Sequence, residues 1–207
     1  MNSFSSLMGT QTLLPIIQAN TVIEGVEIAK AMAAAGIHLV EVVLRTEASL
    51  DLIKALKKEL PELKVGAGTV IDANILKQAI DAGSDFIITP TISAQLLTDL
   101  ADCSVPVLPG VSNAADILLA REFGYSEMKL FPASLSGGAP FLKAMGSVFS
   151  GISFCPTGGI KQSNQYEFLS LSNVFAVGGT WMAQPNWVES GQWSKITDAC
   201  REALSTD

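Results

Sequence analysis

The segment EMKLFPA, residues 127–133, places a lysine inside a run that otherwise reads as a buried strand ending in a Phe-Pro turn. A buried ammonium is costly unless it is paired, neutralised or used. Two readings of Lys129 follow. It is one half of a buried ion pair, with an acid such as Glu41, or it is a desolvated amine able to lose its proton and attack a carbonyl. Most other lysines lie on helix-like stretches, where a solvated head costs little. Lys64 also sits in a strand-like run, but at its start, within reach of water.

Three further groups of residues could do chemistry. IHLVEVVLRT (37–46) carries Glu41 and Arg45. Strand side chains alternate, so Leu39, Glu41, Val43 and Arg45 share one face while the chain stays extended. That face offers an acid below a rim and an arginine at it, or simply a structural Glu–Arg pair. VGAGT (65–69) ends at Thr69, and Gly66 and Gly68 permit close approach of a backbone or a ligand; a threonine ending a strand is equally a turn or cap residue. CPTGGI (155–160) and VGGTW (177–181) each carry a glycine pair. Such pairs can offer backbone N–H groups to a phosphate, although turns also use glycine freely. SLSGGAP (134–140) reads as a flexible rim.

The elements that must position these residues are short apolar runs: LLPII (13–17), IHLVEVVL (37–44), LKVGAG (63–68), DFIIT (85–89), VPVLP (105–109), EMKLF (127–131), ISFCP (152–156) and NVFAVGG (173–179). Between them the apolar period predicts helices over 22–36, 47–60, 72–83, 93–102, 113–124 and 140–149, several opening with Asp, Ser or Asn and three closing at Gly36, Gly83 and Gly124. Near-continuous apolar strands alternating with helices predict an α/β fold with a parallel sheet covered on both faces. An open doubly wound sheet and a closed barrel both satisfy the pattern. Eight runs without a Pro/Gly-rich linker favour a (β/α)8 (TIM) barrel, one domain over residues 1–207 with a short N-terminal segment before the first strand. Sites in such barrels lie at the C-terminal strand ends, where the residues above cluster.

Bulk properties narrow the chemistry. With 48% hydrophobic and 16% charged residues in a chain of 207, disorder is excluded. No apolar run reaches the roughly 20 residues of a membrane helix. MNSFSSLMGTQ lacks the basic and apolar regions of a secretory leader. Cys103, Cys155 and Cys200 form no CxxC pair, so a reduced cytoplasmic setting without a zinc site is expected. The single histidine, His38, argues against a His-based metal site or a Ser-His-Asp triad. The net charge of −7, with no basic cluster beyond Lys57-Lys58, disfavours nucleic acid but not an anionic small molecule in a locally positive pocket.

EVVLRT (41–46), VGAGTV (65–70), MKLFPA (128–133), FCPTGG (154–159) and VGGTW (177–181) resemble, in order and spacing, the 2-keto-3-deoxy-6-phosphogluconate (KDPG) aldolases. These are also called 4-hydroxy-2-oxoglutarate aldolases and are small class I barrel enzymes. The resemblance runs from about Leu14 to the C-terminal helix. It implies that Lys129 forms the Schiff base and that Glu41 is the general acid/base. It places Arg45 and Thr69 at the substrate's carboxylate end, Phe131 beside the imine and Pro90 in the substrate-binding set. Thr157, Gly158, Gly159, Gly178, Gly179 and Thr180 match the phosphate cradle. Thr180 stands where the family usually has Ser, and its hydroxyl is retained. Lys161 stands where a small polar residue is expected; it adds a cation near the phosphate or faces solvent at a helix start. The resemblance further implies a phosphorylated 2-keto acid substrate, pyruvate as product, no metal or separate cofactor, and a homotrimer. Trp181, Trp187 and Trp193 crowd the C-terminal region, where such a cluster is core or interface.

Rival readings use the same residues. A phosphosugar isomerase or epimerase would use Glu41 as base and Lys129 electrostatically, with no imine. A non-catalytic binder would keep the cradle and lose turnover. An aldolase for the galactonate-derived sugar acid would differ in stereochemistry; the EVVLRT pattern places the gluconate-derived substrate first.

Overall fold

The computed structural model describes residues 3–205. After a short helix α1 (Phe4–Met8), strands and helices alternate: β1 (Leu13–Ile17), α2 (Val22–Ala33), β2 (Leu39–Val43), α3 (Ser49–Glu59), β3 (Lys64–Gly68), α4 (Ala73–Asp81), β4 (Phe86–Ile88) and α5 (Ala94–Leu100). They continue through β5 (Val107–Leu108), β6 (Gly110–Val111), α6 (Ala114–Glu122), β7 (Glu127–Leu130), α7 (Gly138–Val148), β8 (Ser153–Pro156), α8 (Gln165–Leu169) and β9 (Val177–Gly179), and close with α9 (Pro185–Glu189) and α10 (Trp193–Leu204). Several helix starts are set by side-chain caps. Thr21, Asp72, Ser93 and Asn113 each accept from a backbone N–H in the first turn of α2, α4, α5 and α6. Gly36, Gly83 and Gly124 take φ near 90° just beyond α2, α4 and α6, the left-handed exit that glycine makes cheap.

All the strand pairs are parallel. Six strands form one sheet in the order β5-β4-β3-β2-β1-β9, and three form a second in the order β6-β7-β8. A parallel bridge, Thr157 to Gly178, links the end of β8 to β9. The expected α/β class with parallel strands and crossover helices is therefore present, and every predicted apolar run contains strand.

The fifth run differs from expectation: it is two short strands flanking Pro109. Proline has no N–H for a ladder. The chain instead sends the Gly110 N–H to the Thr89 hydroxyl at 2.9 Å, while the Pro109 carbonyl accepts from Lys129 N at 2.8 Å. The predicted helices are present, most with shorter ends because capping residues lie outside the helix proper, while α7 begins at Gly138, two residues before the expected start. Helices α1, α8 and α9 were not anticipated; each is only five residues long.

Two apolar clusters hold the fold. The larger packs outward-facing strand residues such as Val40, Val42, Val65, Ala67 and Ile87 against the helices. The smaller gathers the alternate residues, including Leu14, Leu39, Phe86, Ile88, Leu108 and Cys155, with Phe4 and Met8 of α1. Trp181, Trp187 and Trp193 are half-buried against the larger cluster. Among the described residues no helix is long and apolar enough to cross a membrane.

Candidate active site

Strand β7 carries Lys129 level with Gly110 on one side and Cys155 on the other. Strand β2 carries Glu41 level with Ile16 and Gly66. These registers aim both side chains into the interior above the smaller apolar cluster. Lys129 Nζ donates to Glu41 Oε1 at 3.0 Å and Oε2 at 3.2 Å. The Glu41 side chain is 0% exposed and that of Lys129 6%. The ammonium also lies 5.4 Å from the centre of the Phe131 ring, within cation–π range. Space for the carboxylate comes from Gly68, where an added Cβ would collide with Glu41 Oε1. Gly66 similarly makes room for the Phe86 ring. The close approach expected at VGAG is thus to a carboxylate and a ring of the protein itself.

The floor beside the pair is dry. Burial pushes the Cys155 thiol up to about 12; the Glu41 carboxylate raises it further, while Lys129 and the Thr157 hydroxyl oppose the shift. Cys155 therefore stays a neutral thiol and contributes no competing nucleophile. A desolvated ammonium in two-oxygen contact with a carboxylate can pass its proton across a 3.0 Å hydrogen bond. That transfer leaves a neutral amine and a neutral acid, a nucleophile beside a proton donor. The ion-pair reading of Lys129 named an acid such as Glu41 as partner, and the structure supplies it.

Arg45 and Thr69 meet at the rim. Arg45 Nε donates to Thr69 Oγ1 at 3.1 Å, and the arginine is exposed. The shared strand face expected for Glu41 and Arg45 does not extend that far. Strand β2 ends at Val43, and Arg45 N–H turns back to the Val43 carbonyl at 2.9 Å. Thr69 has φ +66°, a left-handed conformation that β-branched residues rarely adopt. Pro90 follows β4, and its carbonyl crowds the position a Gly110 Cβ would take.

The two glycine pairs come together. Thr157 and Gly178 are bridged, and a Cβ on Gly178 would strike the Thr157 hydroxyl. Gly158 lies against Phe131 and Pro132, so this loop adjoins the lysine strand. Gly158 and Gly159 take φ of 93° and 81°. Gly179 packs on the Trp181 ring, and Thr180 is exposed beyond it. Lys161 is exposed next to the same loop. Sequence reasoning did not single out Asn164, whose side chain ties this loop together; an asparagine five residues after a glycine pair carries little signal by itself. Two surface cavities lie elsewhere. One of about 550 Å³ borders Phe4, Cys103, Tyr125 and Glu127, and one of about 850 Å³ borders Lys143, Ser150 and Asn173. Chemistry rather than volume therefore locates the site: the lysine and its carboxylate fill their own interior space.

Parallel α/β architecture with a buried amine–carboxylate pair and glycine-paired loops defines a class of protein equipped for carbonyl chemistry through a lysine. Within that class, the chain belongs to the KDPG and KHG aldolase family, whose model matches residues 4–199. It is 42% identical over 193 residues to the 2-dehydro-3-deoxy-phosphogluconate aldolase of Pseudoalteromonas atlantica, covering 93% of this chain and 90% of that one. A Legionella pneumophila KDPG aldolase, captured with pyruvate at low pH as a covalent carbinolamine intermediate, superposes with TM-score 0.94 at 34% identity, covering 97% and 98% of the two chains. The Zymomonas mobilis ZM4 KDPG aldolase with 3-phosphoglycerate gives TM-score 0.89 at 37% identity, covering 98% and 95%.

Proposed function

We propose that this chain is a class I aldolase that cleaves 2-keto-3-deoxy-6-phosphogluconate to pyruvate and glyceraldehyde 3-phosphate through a Schiff base on Lys129. The same site would split 4-hydroxy-2-oxoglutarate to pyruvate and glyoxylate. The observation that carries the reading is the buried Lys129–Glu41 pair at 3.0 Å, in a chain of this family.

In this mechanism Glu41 accepts the Lys129 proton, and the neutral amine attacks the substrate's C2 carbonyl. Glu41 returns a proton as water leaves, giving a protonated imine. It then takes the proton of the C4 hydroxyl. The C3–C4 bond breaks, its electrons flow into the imine, and the aldehyde departs. Protonation of the enamine at C3 and addition of water release pyruvate and the free lysine. The imine acts as the electron sink, so the reaction requires no metal or separate cofactor. Phe131 packs beside the imine and Pro90 borders it. Arg45 and Thr69 hold the carboxylate end with charge-assisted hydrogen bonds. Thr157, Gly158, Gly159, Gly178, Gly179 and Thr180 form the phosphate cradle.

The two sheets are read as arcs of one closed (β/α)8 barrel in a single domain. Two features support closure: the bridge between Thr157 and Gly178 at one seam, and the continuity of β5 and β6 through Pro109 at the other. A homotrimer in the cytoplasm completes the reading, and light scattering in solution tests the oligomeric state.

Borohydride reduction in the presence of pyruvate, followed by peptide mass spectrometry, tests the mechanism. A reduced pyruvyl adduct on Lys129, absent from Lys129→Ala, is expected. Folded protein that traps no pyruvate would overturn the aldolase reading in favour of the isomerase or the non-catalytic binder.

A further inference from the structure

We infer that Asn164 is a positioning residue for phosphate recognition, acting through the Gly158–Gly159–Ile160 backbone rather than by touching substrate. This inference rests on the cradle assigned to that loop under the proposed function.

Two successive carbonyls of the loop are held from outside. The Ser134 N–H donates to the Gly158 carbonyl at 3.0 Å, and Asn164 Nδ2 donates to the Gly159 carbonyl at 3.1 Å. In a trans peptide the N–H points opposite to the C=O it shares a plane with. Fixing the two carbonyls therefore fixes the N–H groups of Gly159 and Ile160 on the other side of the loop. Neither of these N–H groups donates to a protein acceptor among the described residues. Asn164 also closes the far end of the turn, its Oδ1 accepting from Lys161 N at 2.7 Å. One amide thus clamps both ends of the Gly159–Lys161 segment.

The clamp matters because of what it restrains. Gly158 and Gly159 both sit at positive φ, where glycine has wide freedom to flip its peptide planes. The Ser134 bond holds the first plane through the backbone, which no substitution at 134 other than proline removes. The second plane depends on a side chain. A Gly159 peptide released from Asn164 can rotate its carbonyl toward the phosphate, exchanging a donor for an acceptor at an anion.

The test is Asn164→Ala in the full chain, with two substrates that differ in phosphate. Cleavage of 2-keto-3-deoxy-6-phosphogluconate is expected to show KM raised about tenfold with kcat within about twofold, the size of one lost hydrogen bond to a charged group. Borohydride trapping of pyruvate, which carries no phosphate, is expected to proceed at the wild-type rate. If Asn164→Ala does not fold, Asn164→Ser carries the test, because it removes the amide donor to Gly159 without placing a new charge beside the loop. Unchanged KM in a folded variant would overturn the inference, as would pyruvate trapping that falls in step with the phosphorylated substrate. Wild-type protein that traps no pyruvate would instead sink the aldolase reading, and this inference with it.

Discussion

At the level of the single side chain, Glu41 pairs with a buried ammonium and, in the proposed mechanism, also moves protons, and the two roles separate on mutation. It neutralises a buried ammonium, and it is the only carboxylate paired with Lys129 among the described residues. Glu41→Gln keeps the shape and removes the charge. Lys129, the group that forms the imine in the proposed mechanism, stays in place in this variant. Slow pyruvate trapping on Lys129 should therefore survive, while turnover falls about 10²–10⁴-fold with loss of the acid/base role proposed for Glu41. Single-turnover kinetics alongside trapping checks this; turnover above about a tenth of wild type would remove Glu41 from the proton transfers. The lysine was legible in the sequence because its type contradicts its surroundings. The space for its partner was only half legible. Gly66 and Gly68 signal close approach, but only the folded register shows that Gly68 yields to the Glu41 carboxylate. Asn164 was not legible at all, since its partners are two backbone atoms of a loop whose shape the sequence does not encode locally.

The legibility of the elements followed their length. Helices α2 to α7 carry an apolar period, four of them with a side-chain cap as well, and all six were predicted. Helix α1 has five residues, too few to form alone, so its stability is tertiary. Its ends and core side chains are tied to several strands, and two contacts fix its place. Phe4 meets the Phe86 ring edge-to-face at 5.2 Å, and Ser5 donates its N–H, at 3.0 Å, and its hydroxyl to the Glu127 carboxylate. Phe86 and Glu127 open β4 and β7, so α1 covers the N-terminal strand ends, away from the Lys129 end. Phe4 is 2% exposed. Phe4→Ala should cost about 3–5 kcal/mol, lowering Tm by roughly 10 °C for a chain of this size. Catalytic rate per folded molecule should stay unchanged below the new Tm. Calorimetry and steady-state assays check the two halves. A Tm shift under about 2 °C would show that α1 rests on the surface rather than plugging the interior. The Pro109 break is the converse case: the apolar run is plain in sequence, but whether a proline ends a strand or merely interrupts it depends on which neighbours take over its hydrogen bonds.

Across the whole molecule, dryness shows itself in the cysteines. Cys155 lies in the inner cluster and Cys200 in the outer one, on α10, and burial pushes each thiol up to about 12 from an ordinary value near 9. The two thiols are buried on opposite sides of the strands, so each reports on how well its own apolar layer excludes water. The linkage has a definite sign. Between pH 9 and about 12 the unfolded chain loses thiol protons that the folded chain keeps. The unfolded state then binds fewer protons, and folding stability falls as pH rises. The contribution is complete below about pH 9 and gone above the folded value. Cys200→Ala removes one of these groups at a site remote from Lys129 and leaves every lysine and tyrosine in place. Urea unfolding should show the variant less stable than wild type at about pH 8, because a buried side chain has been truncated. The gap should narrow by about pH 10.5, since only the wild type has the Cys200 proton to lose on unfolding. A gap that stays constant across that range would mean that Cys200 ionises as readily in the folded chain as in the unfolded one, and that α10 does not seal the outer layer.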